Sequence, residues 1–442
     1  MGSGRASGRA GFFTGTVLLV SSAHFFFDWY MNFPSPLMPL LASRLGLSLA
    51  QCGTAVAVAS LTSSFSQPLF GWVTDRGLRP WALGPCVLWA AVFMVPLCWA
   101  PSYAWVVALA TLGGLGGGLG HPLGSVATAA ASGGRKGLGM AIYSTGGSLG
   151  YALTPLAVVP AVLALPPRWG WPLLLVPGLV GTALALSGRV RRLRLEVVRE
   201  GVGWASAAAP GVEGSGAMPD AAGGEPPRTA GRRRLKIPGL SWPRQLSLSG
   251  LRTLILLNVV VGLRAWVHYA LVVFIPLYFT GRGLDPVETS WLLSAFLAVG
   301  CGGGLLGGAV SDRWGRRNAL VFTTLAAGLM VLPPWFVGPG AAVGLLLAGS
   351  FMLQAAFPAT VVYAQELTPQ NAGLASGLMT GLTWGLGGLG TALTGVVADM
   401  VGLEWALTAT ALLLLVAGLL AGVLPPEARQ GASAGIAVAP QN

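Results

Sequence analysis

Charge is scarce in this 442-residue sequence: only 9% of it is Asp, Glu, Lys or Arg, against about a quarter in a soluble globular domain. Fourteen acids and 26 bases cannot cover the surface of a soluble protein of this length, so a cytoplasmic enzyme is excluded. Cysteine is equally sparse. Cys52, Cys86, Cys98 and Cys301 all lie in apolar stretches without CxxC spacing, which excludes a secreted disulfide scaffold and reads as four small core residues. Three histidines in different settings supply no HExxH-type metal or catalytic set, and no glycine run is followed by the Lys-Ser/Thr of a phosphate loop. The formal charge of +12 sits between apolar segments and in one central basic stretch rather than on one folded face, so nucleic acid is not an expected partner.

Long apolar runs are what the sequence has in abundance. Twelve are legible, over 12–42, 50–74, 81–100, 103–131, 138–165, 171–188, 250–280, 288–311, 318–337, 341–366, 371–398 and 405–424. A helix needs about 20 apolar residues to cross a bilayer, so the fold class is an all-α membrane protein with twelve spans. Arg5 and Arg9 precede the first run, but more spans follow and no A-x-A-like site clearly ends it, which favours an uncleaved span. Placing the N-terminus inside puts nearly all Lys and Arg on the cytoplasmic side, as the positive-inside rule requires. Both termini are then expected in the cytoplasm. The organisation read from these limits is a tail over 1–11, a six-helix bundle over 12–188, a linker over 189–249, a second bundle over 250–424 and a tail over 425–442. The linker carries RVRRLRLEVVRE and GRRRLK around Gly/Ala/Pro-rich sequence without apolar periodicity, and is expected to be largely disordered.

The two halves repeat. GWVTDRGLRP at Gly71–Pro80 matches GAVSDRWGRR at Gly308–Arg317, and LGYALTP at Leu149–Pro155 matches LGTALTG at Leu389–Gly395, with offsets of 237 and 240 residues. Six spans per half make the repeats parallel, an arrangement of transporters with a path between two bundles. The second loop copy, with Gly308, Asp312, Arg313, Gly315, Arg316 and Arg317, fits the signature loop of the major facilitator superfamily fully, and the first keeps Gly71, Asp75 and Arg76. The chain therefore resembles that superfamily over almost its whole length. Within it, HFFFDWY at 24–30, GHP at 120–122, ASGGRKGLGMAIYSTGGSLGYALTP at 131–155 and RAWVHYALVVFIPLY at 264–278 look like the fosmidomycin-resistance group of drug exporters. The resemblance implies a secondary transporter, and a cytoplasmic gate in which the loop residues hold the bundles together, with Glu366 joining them. Gly71 and Gly308 are expected to let helices approach closely there. Gly146, Gly147, Gly150 and Pro155 loosely resemble the superfamily's antiporter motif and mark a hinge or close-packing seam.

Two formal charges lie deep in spans, Asp28 in the first and Arg264 in the seventh. An unpaired charge in hydrocarbon is costly, so both are expected to face the central path, and equivalent positions in the two halves allow them to face one another. His24 lies one turn before Asp28 on the same helical face. Asp28 is the first choice for proton coupling, with His24 and His121 as the other candidates; a static ion pair is the competing reading. The resembling family commonly has Glu after His-Pro, whereas Leu123 follows Pro122 here, which shifts weight to Asp28 and His121. Arg264 offers a five-donor fork suited to an anionic group, or to structural pairing. His268, Asn32, Tyr143, Asn258, Tyr269, Gln354 and Trp384 complete the candidate cavity, each also readable as packing.

These readings converge on a proton-coupled antiporter that exports small amphipathic or anionic compounds, fosmidomycin-like drugs or metabolites, by alternating access. A proton-coupled importer, a metabolite exchanger or a uniporter on the same scaffold is the alternative, because fold does not select direction. No cofactor, metal or obligate protein partner is expected; substrate, protons and membrane lipid are. One chain holds both bundles, so a monomer is the default, and the Gly/Ala/Pro/Arg-rich usage hints at a high-GC bacterium and hence a bacterial inner membrane.

Overall fold

The computed structural model describes residues 4–75, 79–133, 135–193, 248–367 and 378–426. Among them every regular element is helical. The first half comprises α1 (Gly4–Met31), α2 (Pro34–Leu45), α3 (Leu49–Asp75), α4 (Leu83–Met94), α5 (Tyr103–Ala131), α6 (Lys136–Ala164), α7 (Pro167–Ala185) and the short α8 (Gly188–Arg191). The second comprises α9 (Leu248–Gly281), α10 (Pro286–Trp314), α11 (Arg316–Val331), α12 (Pro339–Ala355), α13 (Phe357–Leu367), α14 (Thr383–Val401) and α15 (Leu403–Val423). Among the described residues, nine helical stretches are long and apolar enough to cross a membrane. The other expected spans are also helical, as α1 with α2, α3 and α7. Most of the linker expected over 189–249 lies outside the described residues.

Two expected spans are broken. The run over 12–42 is two helices, because the chain turns at Asn32-Phe33 and Pro34 opens α2, where its missing N–H is harmless. The tenth run divides between α12 and α13 near Ala356. The two halves meet along α3 and α14, which run antiparallel. A Cβ on Gly53 would stand 2.7 Å from the Thr391 carbonyl oxygen, and one on Gly395 2.4 Å from that of Leu49. These glycines set backbone against backbone across the halves, where van der Waals contact rather than a hydrophobic drive holds helices together.

Glycine also builds the first bundle. Along α5, Gly114 faces the α3 backbone at Ala59, Gly116 faces Trp89 and Gly120 faces Phe27. With no side chains in the way, α1, α3 and α4 crowd this helix and bring His121 against α1. The expected seam on α6 is present as close packing: a Cβ on Gly146 would lie 2.8 Å from the Ser21 carbonyl oxygen and one on Gly150 2.0 Å from that of Phe25. Gly147 sits between them against His24 and Asp28, so the seam forms the floor of the candidate site.

Candidate functional site: a buried His-Asp-His cluster beside the path

Asp28 is 7% exposed and has two histidines beside it, both from the first half. Its Oδ2 lies 3.1 Å from His24 Nε2, one turn earlier on α1, and its Oδ1 lies 3.7 Å from His121 Nε2 on α5. His24 Nε2 is also 3.3 Å from His121 Nδ1. The other face of the His24 ring is fixed: Nδ1–H donates to the Tyr143 carbonyl at 2.8 Å, and the Tyr143 ring stacks on the imidazole at 3.9 Å. His121 is oriented edge-on between Phe27 at 5.3 Å and Trp384 at 5.1 Å. Pro122, inside α5, leaves an upstream carbonyl without its helical donor and loosens the helix at this point.

Trp384 belongs to the second half, so the cluster ends on the boundary between the bundles. There Met31, Ser60, Ser63 and Tyr151 meet Tyr269 and Trp384 around a cavity of about 20 Å³. That holds roughly one water and no organic compound. Any compound passing between the halves must separate them first.

Arg264 does not face Asp28. Its guanidinium donates to the Thr324 hydroxyl on α11 and the Leu353 carbonyl on α12, both in its own half. The repeat explains this correction. The 240-residue offset makes Arg264 the counterpart of His24 and His268 the counterpart of Asp28, and each lies within its own bundle. Among the described residues Arg264 has no carboxylate partner, although it is 5% exposed. His268 packs near it, stacked on Phe296 at 6.1 Å.

The remaining cavity candidates separate into two groups. Tyr269 and Trp384 line the central cavity. Tyr143 supports His24 from behind. Asn32 instead donates to the Tyr151 carbonyl at 2.7 Å and Asn258 to the Leu254 carbonyl of its own helix at 2.8 Å. Gln354 packs beside Gly300. These three are not among the residues that line the cavity, which includes Tyr151, Ser60, Ser63 and Met31, missed in the sequence. Tyr151 sits within the repeated LGYALTP motif, and its replacement by Thr391 in the second copy is the available signal.

The second copy of the loop motif lies within the described residues. Arg316 donates from its terminal nitrogen to Asp312 at 2.7 Å and from Nε to Glu366 at 3.1 Å, tying α10, α11 and α13 together. All three belong to the second half, so in this conformation the triad braces one bundle rather than joining two. Gly315 holds φ 86°, a left-handed conformation that favours glycine and turns the chain from α10 into α11. Arg313 is exposed, and Arg317 donates to the Gly422 carbonyl. Asp75 ends α3, while Arg76 lies outside the described residues. The expected close approach at Gly71 and Gly308 is not found among the described residues: a Cβ on Gly71 meets nothing within 4 Å, and one on Gly308 only the Pro358 Cβ at 3.9 Å.

A polar link between the halves lies at the other end of α3. Asp399, in the last turn of α14, accepts from the Leu49 amide at 2.8 Å and the Ala50 amide at 2.9 Å. A carboxylate from one bundle thus caps a helix of the other, satisfying N–H groups that have no partner inside the helix. It was missed because it falls one residue past the expected end of its span. Loss of a cap costs about 1 kcal/mol, roughly a fivefold shift in a two-state equilibrium. Asp399→Ala should therefore populate a separated state about fivefold more. Spin labels at Ser43 and Met400, both exposed, would read this as added long distances, and an unchanged distribution would show that the cap does not hold this end.

Residues 18–389, with an overlapping match over 257–439, fit the Major Facilitator Superfamily, and the chain belongs to that family of membrane transporters. It is 30% identical over 391 residues to the fosmidomycin resistance protein of Escherichia coli (strain K12), covering 87% of this chain and 86% of that one. It is 28% identical over 416 residues to the uncharacterized MFS-type transporter YfnC of Bacillus subtilis (strain 168), covering 93% of each. Its fold is similar to that of a bacterial homolog of the human lysosomal transporter Spinster in an inward-facing, occupied conformation. The TM-score is 0.71 at 15% identity, over 93% of this chain and 97% of the other.

Proposed function

We propose that this membrane transporter is a proton-coupled antiporter that exports small amphipathic or anionic compounds by alternating access. The observation that carries the coupling is the convergence of Asp28, His24 and His121 in a buried cluster that touches the opposite bundle through Trp384. A carboxylate and two imidazoles enclosed together change proton affinity when their surroundings change. Separating the bundles moves Trp384 off His121 and admits water, which is how a conformational step becomes a proton step. Similarity to the fosmidomycin resistance protein supports export and drug-like cargo.

The moving parts in this reading are the bundles over 12–188 and 250–424, tethered by the linker over 189–249. The protein works as a monomer in a bacterial inner membrane, with both termini cytoplasmic. The Asp399 cap then closes the outer end. On the cytoplasmic side, Asp312, Arg316 and Glu366 hold the α10–α11 corner in shape while Asp75, Arg76, Arg313 and Arg317 complete the gate. Gly146, Gly147, Gly150 and Pro155 provide the close-packed seam that holds α6 against α1 within the first bundle.

Arg264, buried with no carboxylate partner among the described residues, supports an anionic group in the cargo. Lysine keeps the charge but loses the fork that spans Thr324 and Leu353. Arg264→Lys should reduce transport of an anionic compound by about tenfold, the loss of roughly 1.4 kcal/mol of recognition, and leave neutral cargo unaffected. Equal rates for both classes would reduce Arg264 to a structural pin. The direction is tested in everted membrane vesicles, where export appears as proton-driven uptake. Fosmidomycin, other phosphonates and amphipathic dyes form the panel. Accumulation only in right-side-out vesicles under an inward proton gradient would establish import instead.

A further inference from the structure

The His24–Asp28–His121 cluster has a second chemical reading. His24 Nδ1 bonds to a carbonyl, which only accepts, so Nδ1 carries the hydrogen and Nε2 presents a lone pair unless the ring is doubly protonated. That Nε2 faces the Asp28 carboxylate at 3.1 Å and His121 Nδ1 at 3.3 Å. Two further acceptor-capable atoms, Asp28 Oδ1 and His121 Nε2, are buried without a hydrogen-bond partner, 3.7 Å apart. Polar atoms gathered this closely form a place that can hold a shared cation. A proton is one such cation.

We propose that His24, Asp28 and His121 also bind a divalent first-row transition-metal ion of the zinc class. The proposal uses the same three residues as the proton-coupling reading but does not depend on its transport cycle. Donors bound at 2.0–2.1 Å to a tetrahedral ion stand about 3.4 Å from one another; here His24 Nε2 and Asp28 Oδ2 are 3.1 Å apart, and one donor atom from each of the three residues lies within 4.8 Å of the others. Two imidazoles and one carboxylate suit zinc, nickel or cobalt and not magnesium or calcium, which take oxygen donors. The Tyr143 carbonyl on His24 Nδ1 is the outer hydrogen bond that metal-ligating histidines almost always make, fixing the ring with Nε2 toward the metal.

Three protein ligands leave a fourth position for water or for a donor atom of the cargo, the pattern of an exchangeable site rather than a closed structural one. The Asp28 charge offsets part of the ion's own. No other group of three His, Cys, Asp or Glu residues converges in this way among the described residues. His268 and the four cysteines are the chain's remaining His and Cys side chains, and His268 belongs to the other half. When the ion binds, the proton held between His24 and Asp28 leaves to solvent, so metal and proton compete for one place.

The test is titration of the purified, tag-free full chain in detergent with Zn2+ by calorimetry, and with Co2+ by visible absorption, at pH 7.5 and pH 6.0. The expected result is one ion per chain, d–d bands typical of four-coordinate Co2+, and weaker binding at the lower pH. Asp28→Asn and His121→Gln should each weaken Zn2+ by at least about tenfold, while His268→Gln should not; a monodisperse elution profile verifies folding of each. Absence of binding in the wild type, or equal affinity in both cluster variants, would overturn the site. Neither result bears on proton movement, which is read separately. A chain that moves protons but binds no Zn2+ loses only the metal site, and one that binds Zn2+ through the cluster but moves no protons loses only the coupling.

Discussion

Asp28→Asn should reduce proton-driven transport to the leak rate of empty liposomes while leaving the protein folded. Asparagine preserves the shape of the carboxylate and removes its charge, so His24 and His121 lose the anion against which a proton is held. The side chain is enclosed and Gly147 presses on it from α6, so an isosteric residue is accommodated where a larger one is not. A thermal midpoint within about 1 °C of wild type would correspond to roughly 1 kcal/mol and confirm that the fold survives. Exchange of compound against compound, which needs no net proton movement, should persist in the variant. Loss of exchange together with driven transport would assign Asp28 a structural role, and full driven transport would remove it from coupling.

The second large effect is expected at the seam between the bundles. Gly395→Leu places a Cβ where the Leu49 carbonyl oxygen would be 2.4 Å away and the Ala50 Cα 2.9 Å away, both backbone atoms that cannot rotate aside. Overpacking of this kind costs about 1–3 kcal/mol. Here the cost falls on one state alone, because only the closed state brings α3 and α14 into contact at this level. The equilibrium should then move by about 5–150-fold toward separation at the Asp399 end, and turnover should fall with it. Each bundle is unaltered internally, so melting should be little affected. Gly344→Ala, where a Cβ meets nothing within 4 Å, is the matched control and should transport normally. Spin-label distances across Ser43 and Met400 that stay at their wild-type values in Gly395→Leu would show that this seam does not separate during transport.

Much of this architecture is legible in the sequence because the bilayer imposes one simple demand, about 20 apolar residues per crossing. The run over 103–131 coincides with α5 for that reason. The break at Asn32-Phe33 was not legible from apolarity, since both sides of it are equally apolar. The Pro34-Ser35-Pro36 sequence was the available signal. In the site, the pairing of His24 with Asp28 follows from helical spacing alone. The addition of His121 needs the glycine face of α5, whose packing partners no local pattern reveals. The facing of Asp28 and Arg264 failed because pseudo-symmetry places helices, whereas the rotation of each helix decides where a side chain points. Asp399 escaped notice because helix-end acids usually face solvent, and only the antiparallel α3–α14 seam brings the α3 N-terminus to it.

The central claim is that compound and proton pass in opposite directions through one cycle that uses the Asp28 cluster. It is tested most directly by recording internal pH and compound content together in the same proteoliposomes, with an imposed proton gradient and a panel that includes fosmidomycin. The account predicts that compound moves against protons in a fixed ratio, and that both movements vanish together in Asp28→Asn. Compound movement with no accompanying proton flux in the wild-type protein would contradict it.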